Sequence, residues 1–90
     1  MMIEFDHMKK EESAHEQVVT GIVIASEWDK EGNVIDIVIH SNKEEVFEVI
    51  KNEIHKCLLN LIRSKVVVRG RVGRLLNGRE RIHVHTFELI

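Results

Sequence analysis

The last third of the chain contains an Asn-Gly pair between two β-branched runs, in the stretch "KVVVRGRVGRLLNGRERIHVHTFEL". Asn77 and Gly78 tolerate the positive φ angles of tight turns, and such a pair between alternating apolar residues is the strongest short-range signal for a β-hairpin. The stretch therefore predicts two antiparallel strands, and any fold proposed for the chain has to contain this hairpin.

The alternation of apolar residues predicts the register of this hairpin. The inner faces of the two strands align only if the loop has three residues and Gly78 is left-handed within a β-bulge. Arg74 then lies opposite Glu80, and Arg71 lies opposite His83. The predicted inner face consists of Val68, Val72, Ile82, Val84 and Thr86.

The sequence before the hairpin predicts two strands joined by a turn. A β-branched run that begins at Gln17 indicates the first strand, with Gly21 at a bend or bulge. The stretch "DKEGN" has the residues of a turn. After it, Ile35, Ile37 and Ile39 lie on one face of a second strand.

The segment between the second strand and the hairpin allows two interpretations. Apolar residues from Val46 onward recur at helical spacing, which favours one long helix, and Ser41 with Glu44 could form its capping box. Alternatively, "EVFEVI" is a short third strand, and "NEIHKCLLNLIRS" contains a separate amphipathic helix with Asn52 as its N-cap. Periodicity alone slightly favours the long helix.

The length and composition indicate one small globular domain. The chain has 90 residues, of which 43% are hydrophobic and 31% are charged. Residues 17 to 90 hold the apolar pattern and form the predicted domain, whereas residues 1 to 16 are mostly polar and are predicted to be a flexible arm. The single cysteine, Cys57, is predicted to be a small buried residue. Neither a signal peptide nor a membrane span is recognisable, so a cytoplasmic location without membrane contact is expected.

The order of the predicted elements, with a glycine-containing strand, two further strands, a helix and the final hairpin, resembles that of OB-fold domains. The most similar part is "LIRSKVVVRGRV", which resembles the helix end and fourth strand of bacterial OB-fold domains of the tRNA-anticodon-binding-like type. The resemblance implies an all-β fold with one helix, in which a five-stranded Greek-key barrel has its helix between strands 3 and 4. The resemblance therefore favours the interpretation with a third strand, because the five-stranded barrel is incomplete without that strand. The alternative is an α+β fold of ββαββ order.

The resemblance also implies a binding face. OB folds bind oligonucleotides or oligosaccharides on strands 2 and 3, flanked by the loops between strands 1 and 2 and between strands 4 and 5. In this chain the predicted surface of strands 2 and 3 has Asp36, Glu44, Glu45 and Glu48, which would repel phosphate. The sequence therefore departs from the usual OB pattern at this face.

The alternation of side chains along the strands and the helical spacing of apolar residues predict which side chains form the hydrophobic core. The last strand continues the pattern to Thr86, which leaves Phe87 on the outer face. The predicted core consists of Val23, Ile35, Ile37, Ile39, Leu58, Leu61, Ile62, Val68, Val72, Ile82 and Val84.

The two parts of the chain have opposite charge. Residues 1 to 60 contain six lysines and thirteen acidic residues, a net charge of -7, while residues 61 to 90 contain seven Lys or Arg and two acidic residues, a net charge of +5. Such asymmetry indicates an anionic partner, or one part of the fold neutralising another. The predicted contact residues are the hairpin arginines Arg69, Arg71, Arg74, Arg79 and Arg81, of which Arg69, Arg71 and Arg81 face outward.

Trp28 is the candidate for stacking against a base, because it lies beside the "DKEGN" turn and is expected near the loop of the hairpin. We therefore expect a binding module that contacts single-stranded DNA or RNA, or another polyanion, through the hairpin arginines and Trp28. The alternative is a protein–protein interaction or structural module, in which the basic hairpin meets an acidic protein or the acidic part of a second copy.

The sequence contains no recognisable catalytic or cofactor-binding arrangement. No Ser/His/Asp or Cys/His set is visible, and the glycines beside arginine match neither a phosphate loop nor a dinucleotide fingerprint. His83 and His85 point to one side of a strand, but a metal site would need a third ligand from elsewhere. The chain is therefore predicted to be no enzyme and to use no cofactor or metal.

Overall fold

The structure of the protein is a computed structural model that describes residues 11 to 90, with side chains from residue 15 onward. Within this range the chain forms five strands, one short α-helix and one turn of 3₁₀-helix. In chain order they are β1 (Glu11–Trp28), β2 (Val34–Ser41), β3 (Val46–Val49), α1 (Glu53–Leu58), the 3₁₀ turn (Leu59–Leu61), β4 (Lys65–Leu75) and β5 (Glu80–Leu89). No helix in this part of the chain has the length and apolar character needed to cross a bilayer.

The five strands form a closed barrel in the order β1-β2-β3-β5-β4. Neighbouring strands are antiparallel except for β3 and β5, which run parallel. α1 lies between β3 and β4 in the chain, as the sequence predicts. This architecture confirms the predicted all-β barrel with one helix and fits a generic OB-like barrel. The ββαββ alternative is wrong.

The ambiguous segment splits into β3 and α1 because the strand completes the barrel. Glu48 of β3 lies opposite Val38 of β2 on one side and opposite Arg81 of β5 on the other. As a helix, this segment would leave the edges of β2 and β5 unpaired. As a strand, it turns Phe47 and Val49 into the core. The long-helix interpretation is therefore wrong.

Asn52 begins α1 and connects it to the barrel. Its Oδ1 accepts a hydrogen bond from the backbone N–H of His55 (2.9 Å), and its Nδ2 donates to the carbonyl oxygen of Val84 in β5 (3.2 Å). The predicted N-cap is thus confirmed. Cys57, in contrast, is exposed rather than buried, because α1 turns Leu58 into the core instead.

The interior of the barrel contains most of the predicted core. The predicted residues that are buried are Val23, Ile37, Ile39, Leu58, Val68, Val72, Ile82 and Val84. Leu61 and Ile62 are partly buried and pack against this core. The core also contains Val19, Phe47, Val49 and Val66, which parity did not assign to it.

Ile35 lies outside the core, with a relative exposure of 37%. In the pairing of β1 with β2, register shifts separate Ala25 from Glu27 and Glu27 from Trp28, so that Ile35 has no residue opposite it. Bulges of this kind break the alternation of side chains between the two faces of a strand. The predicted inward orientation of Ile35 is therefore wrong.

Replacing Ile37 by alanine should lower the free energy of unfolding by about 2 to 4 kcal/mol, because Ile37 is fully buried and its removal leaves a cavity. The same change at Ile35 removes a partly exposed side chain and should cost about 1 kcal/mol or less. Urea unfolding of the two variants, followed by far-UV circular dichroism, measures the difference. Equal losses at the two positions would contradict the assigned inner face.

β1 begins at Glu11, well before the predicted start at Gln17. The added part of the strand pairs with β4, where Glu16 lies opposite Arg71. The sequence pattern misses it because backbone pairing requires no apolar alternation. The remainder of the predicted arm, residues 1 to 10, lies outside the described range.

The predicted hairpin register is confirmed next to the turn. Arg74 lies opposite Glu80, and Arg71 lies opposite His83. Gly78 has a φ angle of 88°, and its N–H donates to the carbonyl oxygen of Leu75 (2.8 Å). The N–H of Leu75 donates to the carbonyl oxygen of Arg79, so residues 76 to 78 form the three-residue loop that the alternation of apolar residues requires.

A β-bulge at His85 reverses the faces of β5 beyond the middle of the hairpin. The pairing with β4 shifts between Arg69 and Gly70, and His85 is the extra residue. Beyond it, Thr86 is exposed, and Phe87 packs against the core. The predicted orientations of Thr86 and Phe87 are therefore wrong, because one added residue exchanges the two faces of a strand.

Candidate binding surfaces

Two of the five predicted arginines lie together on the outer face of β4. Arg69 and Arg71 are exposed, and their neighbours on β1 are Val18 and Glu16. Lys65 is also exposed and shares their face, because it has the same parity along β4. We call Lys65, Arg69 and Arg71 the β4 basic row.

The β4 basic row has no acidic partner within the described residues, since none of its side chains forms an ion pair there. Glu16, opposite Arg71, instead accepts a hydrogen bond from the Nε2 of His85 (3.3 Å). At about 3.3 Å per strand residue, the row extends over about 20 Å. The sequence prediction omitted Lys65, although its parity with Arg69 was a sufficient signal.

Arg74 and Arg79 are paired with acidic side chains at the turn end of the hairpin. The Nη2 of Arg74 lies 3.2 Å from the Oε2 of Glu80. The Nη2 of Arg79 contacts the Oε2 of Glu48 in β3. Exposed pairs of this kind add little stability, but each places a carboxylate next to a cation. Both arginines are therefore less available to an anionic ligand.

Arg81 faces a groove over the outer side of β2, β3 and β5, the face that the OB resemblance implies. The groove has a volume of about 740 Å³. Its charged lining residues are Glu27, Asp36, Glu48, Lys51, Arg79 and Arg81. The opposite charges balance, so the groove lacks the positive potential that attracts a polyanion. Of the other predicted acidic residues, Glu44 and Glu45 lie in the turn between β2 and β3.

Asp36 connects this groove to the helix. The Nε2–H of His55, which is buried, donates to the Oδ1 of Asp36 at 3.1 Å. No sequence pattern indicates this pair, because the two residues belong to elements that meet only in the folded barrel. One oxygen of Asp36 is thus used to hold α1 against β2.

Trp28 is exposed at the end of β1 and lies apart from the β4 basic row. Its relative exposure is 55%. It follows Ile22, the β1 neighbour of Lys65, by about 20 Å of extended strand, and Val18, the neighbour of Arg69, by about 33 Å. It lines a depression together with Ile24, Ala25, Val34, Ile62 and Arg63. The structure therefore divides the predicted site residues among three surfaces: the basic row, the groove with its rim, and the surroundings of Trp28.

His83 and His85 lie side by side on β5, with ring centroids 5.1 Å apart. Because they are two residues apart along the strand, both rings face outward, next to Arg71 and Glu16. Among residues 15 to 90, no three potential ligands are arranged to hold a metal ion. The two histidines therefore belong to the polar surroundings of the β4 basic row.

The chain matches no protein-family model. No curated protein and no solved structure is significantly similar to it. Its function has to be inferred from its own surfaces.

Proposed function

We propose that this protein is a non-enzymatic, OB-like binding module that contacts the phosphate backbone of single-stranded nucleic acid through the β4 basic row. The supporting observation is a difference between arginines of one hairpin. Arg74 and Arg79 are paired with acidic residues, whereas Arg69 and Arg71 are exposed and form no ion pair within the described residues. Exposed cations along one strand can neutralise successive phosphates and release their counterions.

This contact should be weak and independent of base sequence. Proteins that hold single strands tightly also stack bases on aromatic rings. Phe87 packs inward and Trp28 lies elsewhere on the barrel, so no described Phe or Trp borders the row. Electrostatic attraction to phosphate must then supply most of the affinity.

Aliphatic residues beside the row support a second candidate, an acidic protein partner. Val18 and Ile22 on β1 have relative exposures of 52% and 40%, and they lie opposite Arg69 and Lys65. Contacts that combine apolar side chains with arginine are common in protein interfaces. Such a partner would occupy the same face of the barrel.

The salt dependence of oligonucleotide binding distinguishes these candidates. With three phosphate contacts at about -0.7 each, the log-log slope of affinity against salt should be about -2 for a single strand. Arg71→Gln should flatten the slope by about 0.7, because one contact is lost. Anisotropy of a labelled oligothymidylate between about 20 and 200 mM salt measures it, a range that brackets weak and strong screening.

Arg74→Gln is the matched control, because it removes the same charge from the same hairpin but from a side chain paired with Glu80. Its slope should equal that of the unmodified protein. Equal flattening in both variants would show that net charge, and not the β4 basic row, attracts the strand. Absence of binding at the lower salt would reject nucleic acid and leave the acidic protein partner.

A further inference from the structure

The end of the barrel beside α1 has an exposed apolar surface that the proposed nucleic-acid contact does not use. Trp28 has a relative exposure of 55%, and the neighbouring Ile35 has one of 37%. Contiguous exposed apolar surface of this kind marks an interaction site. We call this surface the Trp28 patch; it consists of the exposed Trp28 and Ile35 and the partly buried Ile24, Val34, Leu59 and Ile62.

The Trp28 patch contains two shallow depressions. One, of about 370 Å³, lies beside Trp28, and the other, of about 460 Å³, lies between Ile35 and α1; Val34 lines both. Tryptophan side chains that insert into such depressions supply much of the energy of protein interfaces. The patch therefore contains both a ring that can be buried and a depression that can receive one.

Charged residues of opposite sign lie on either side of Trp28. The N–H of Arg63 donates to the carbonyl oxygen of Val23 (2.7 Å), which places Arg63 beside β1 before Trp28. Glu31 lies in the turn that follows Trp28. Both side chains are exposed, and neither forms an ion pair within the described residues. The turn also contains Asp29 and the exposed Lys30, which gives it a net charge of -1, so the patch has a positive end at Arg63 and a negative end at the turn.

Local hydrogen bonds fix both ends. Arg63 has a φ angle of 73°, unusual for a residue with a side chain, and its bond to Val23 holds it there. In the turn, Asp29 accepts hydrogen bonds from the backbone N–H groups of Glu31 and Asn33, both at 2.9 Å. These hydrogen bonds keep the pKa of Asp29 below its usual value, and the bond from the backbone N–H of Asn33 has the largest effect. Because the carboxylate of Asp29 accepts these hydrogen bonds within the turn, Glu31 is the acidic side chain of this turn that is available to bind a partner.

We infer that the Trp28 patch is the interface of a symmetric dimer of this chain. A two-fold axis through the patch sets Trp28 against the second copy's patch and brings Arg63 opposite the partner's Glu31. The same rotation brings Glu31 opposite the partner's Arg63, so that one contact occurs twice. A surface with opposite charges at its two ends is complementary to itself in this arrangement.

The charges favour a second copy over nucleic acid at this surface. The charged residues around the patch have both signs, so the surface lacks the uniformly positive potential that attracts a phosphate backbone. They are Arg63, Lys30, Lys51 and Lys56 on the one hand and Asp29, Glu31 and Glu53 on the other. The dimer leaves Arg69 and Arg71 of the β4 basic row exposed, because they lie opposite Val18 and Glu16 in the earlier part of β1, whereas Lys65 lies at the edge of the patch. The inference is therefore independent of the nucleic-acid contact proposed for these two arginines.

Sedimentation equilibrium over a range of protein concentrations, combined with tryptophan emission, tests the dimer. Trp28 is the only tryptophan of the chain, and there is no tyrosine, so the emission reports on this patch alone. We expect the mass to double with rising concentration and the emission to move to shorter wavelength as the ring leaves water. Arg63→Glu and Glu31→Arg should each weaken the dimer at least about tenfold, because each places like charges together twice.

The variant with both reversals should recover the dimer, since it exchanges the two ends of the patch. Glu88→Arg is the matched control: it makes the same charge change at an exposed position of β5 and should leave the dimer unchanged. Circular dichroism checks that each variant is folded. A monomer at every concentration, quenching of Trp28 in a monomer by oligonucleotide, or a dimer that neither reversal weakens would overturn the inference.

Discussion

Replacing Phe47 by alanine should lower the free energy of unfolding by about 3 to 5 kcal/mol. Phe47 is the largest fully buried side chain in the described part of the chain, with a relative exposure of 1%. β3 holds it between Ile39 of β2 and Glu80 of β5. Because the strands around it close into a barrel, they cannot collapse fully into the space that the ring leaves. Guanidinium unfolding followed by circular dichroism measures the loss.

Val46→Ala is the control for this prediction. Val46 precedes Phe47 in β3, points outward and has a relative exposure of 45%, so its truncation should cost about 1 kcal/mol or less. A long helix through this segment would reverse the order, because the helical pattern places Val46 on the apolar face. A larger loss at Val46 than at Phe47 would therefore contradict the barrel itself.

Replacing Gly70 by alanine should lower the free energy of unfolding by about 3 kcal/mol or more. A methyl group there would overlap the carbonyl oxygen of His83 and lie 2.9 Å from the Cα of Val84. Both neighbours are backbone, so β4 and β5 must separate to make room. Overpacking costs about 1 to 3 kcal/mol, and each weakened hydrogen bond of the ladder adds about 1 kcal/mol. Urea unfolding measures the change.

Gly78→Ala makes the same chemical change where space is free. Apart from the chain neighbours of Gly78, no atom of the described residues lies within 4 Å of the added methyl group, but the φ angle of 88° disfavours a side chain. The expected cost is about 1 to 2 kcal/mol. If Gly70→Ala cost no more than Gly78→Ala, the close approach of β4 to β5 would be wrong.

The resemblance to OB folds implied the barrel, and residue alternation predicted most of its core because an inward orientation in a regular strand follows from a simple side-chain pattern. Ile37, Ile39, Val68 and Val72 alternate along regular strands, so parity alone assigns them to the interior. The prediction was wrong where strands are irregular. Ile35 lies at a register shift and Phe87 lies beyond a bulge, and neither irregularity has a sequence signal at these positions.

The candidate site was predicted less well than the fold. Five arginines of one hairpin suggested one basic surface, but the strand order places Arg79 next to Glu48, which belongs to a different part of the chain. Lys65 lies on the same face of β4 as Arg69 and Arg71, because side chains alternate regularly between the two faces of this strand. Pairing between charged residues depends on which strands are neighbours, and residue composition does not contain this information.

By itself, the sequence determined the hairpin turn at Gly78 and the inward residues of the regular strands. Each depends on residues a few positions apart, whose local geometry is set by their own side chains. Only the tertiary structure decided that the segment at Phe47 is a strand, that His85 bulges, and which arginines meet acidic partners. These outcomes depend on backbone hydrogen bonds and charges from strands distant in the chain, which come together only when the barrel closes.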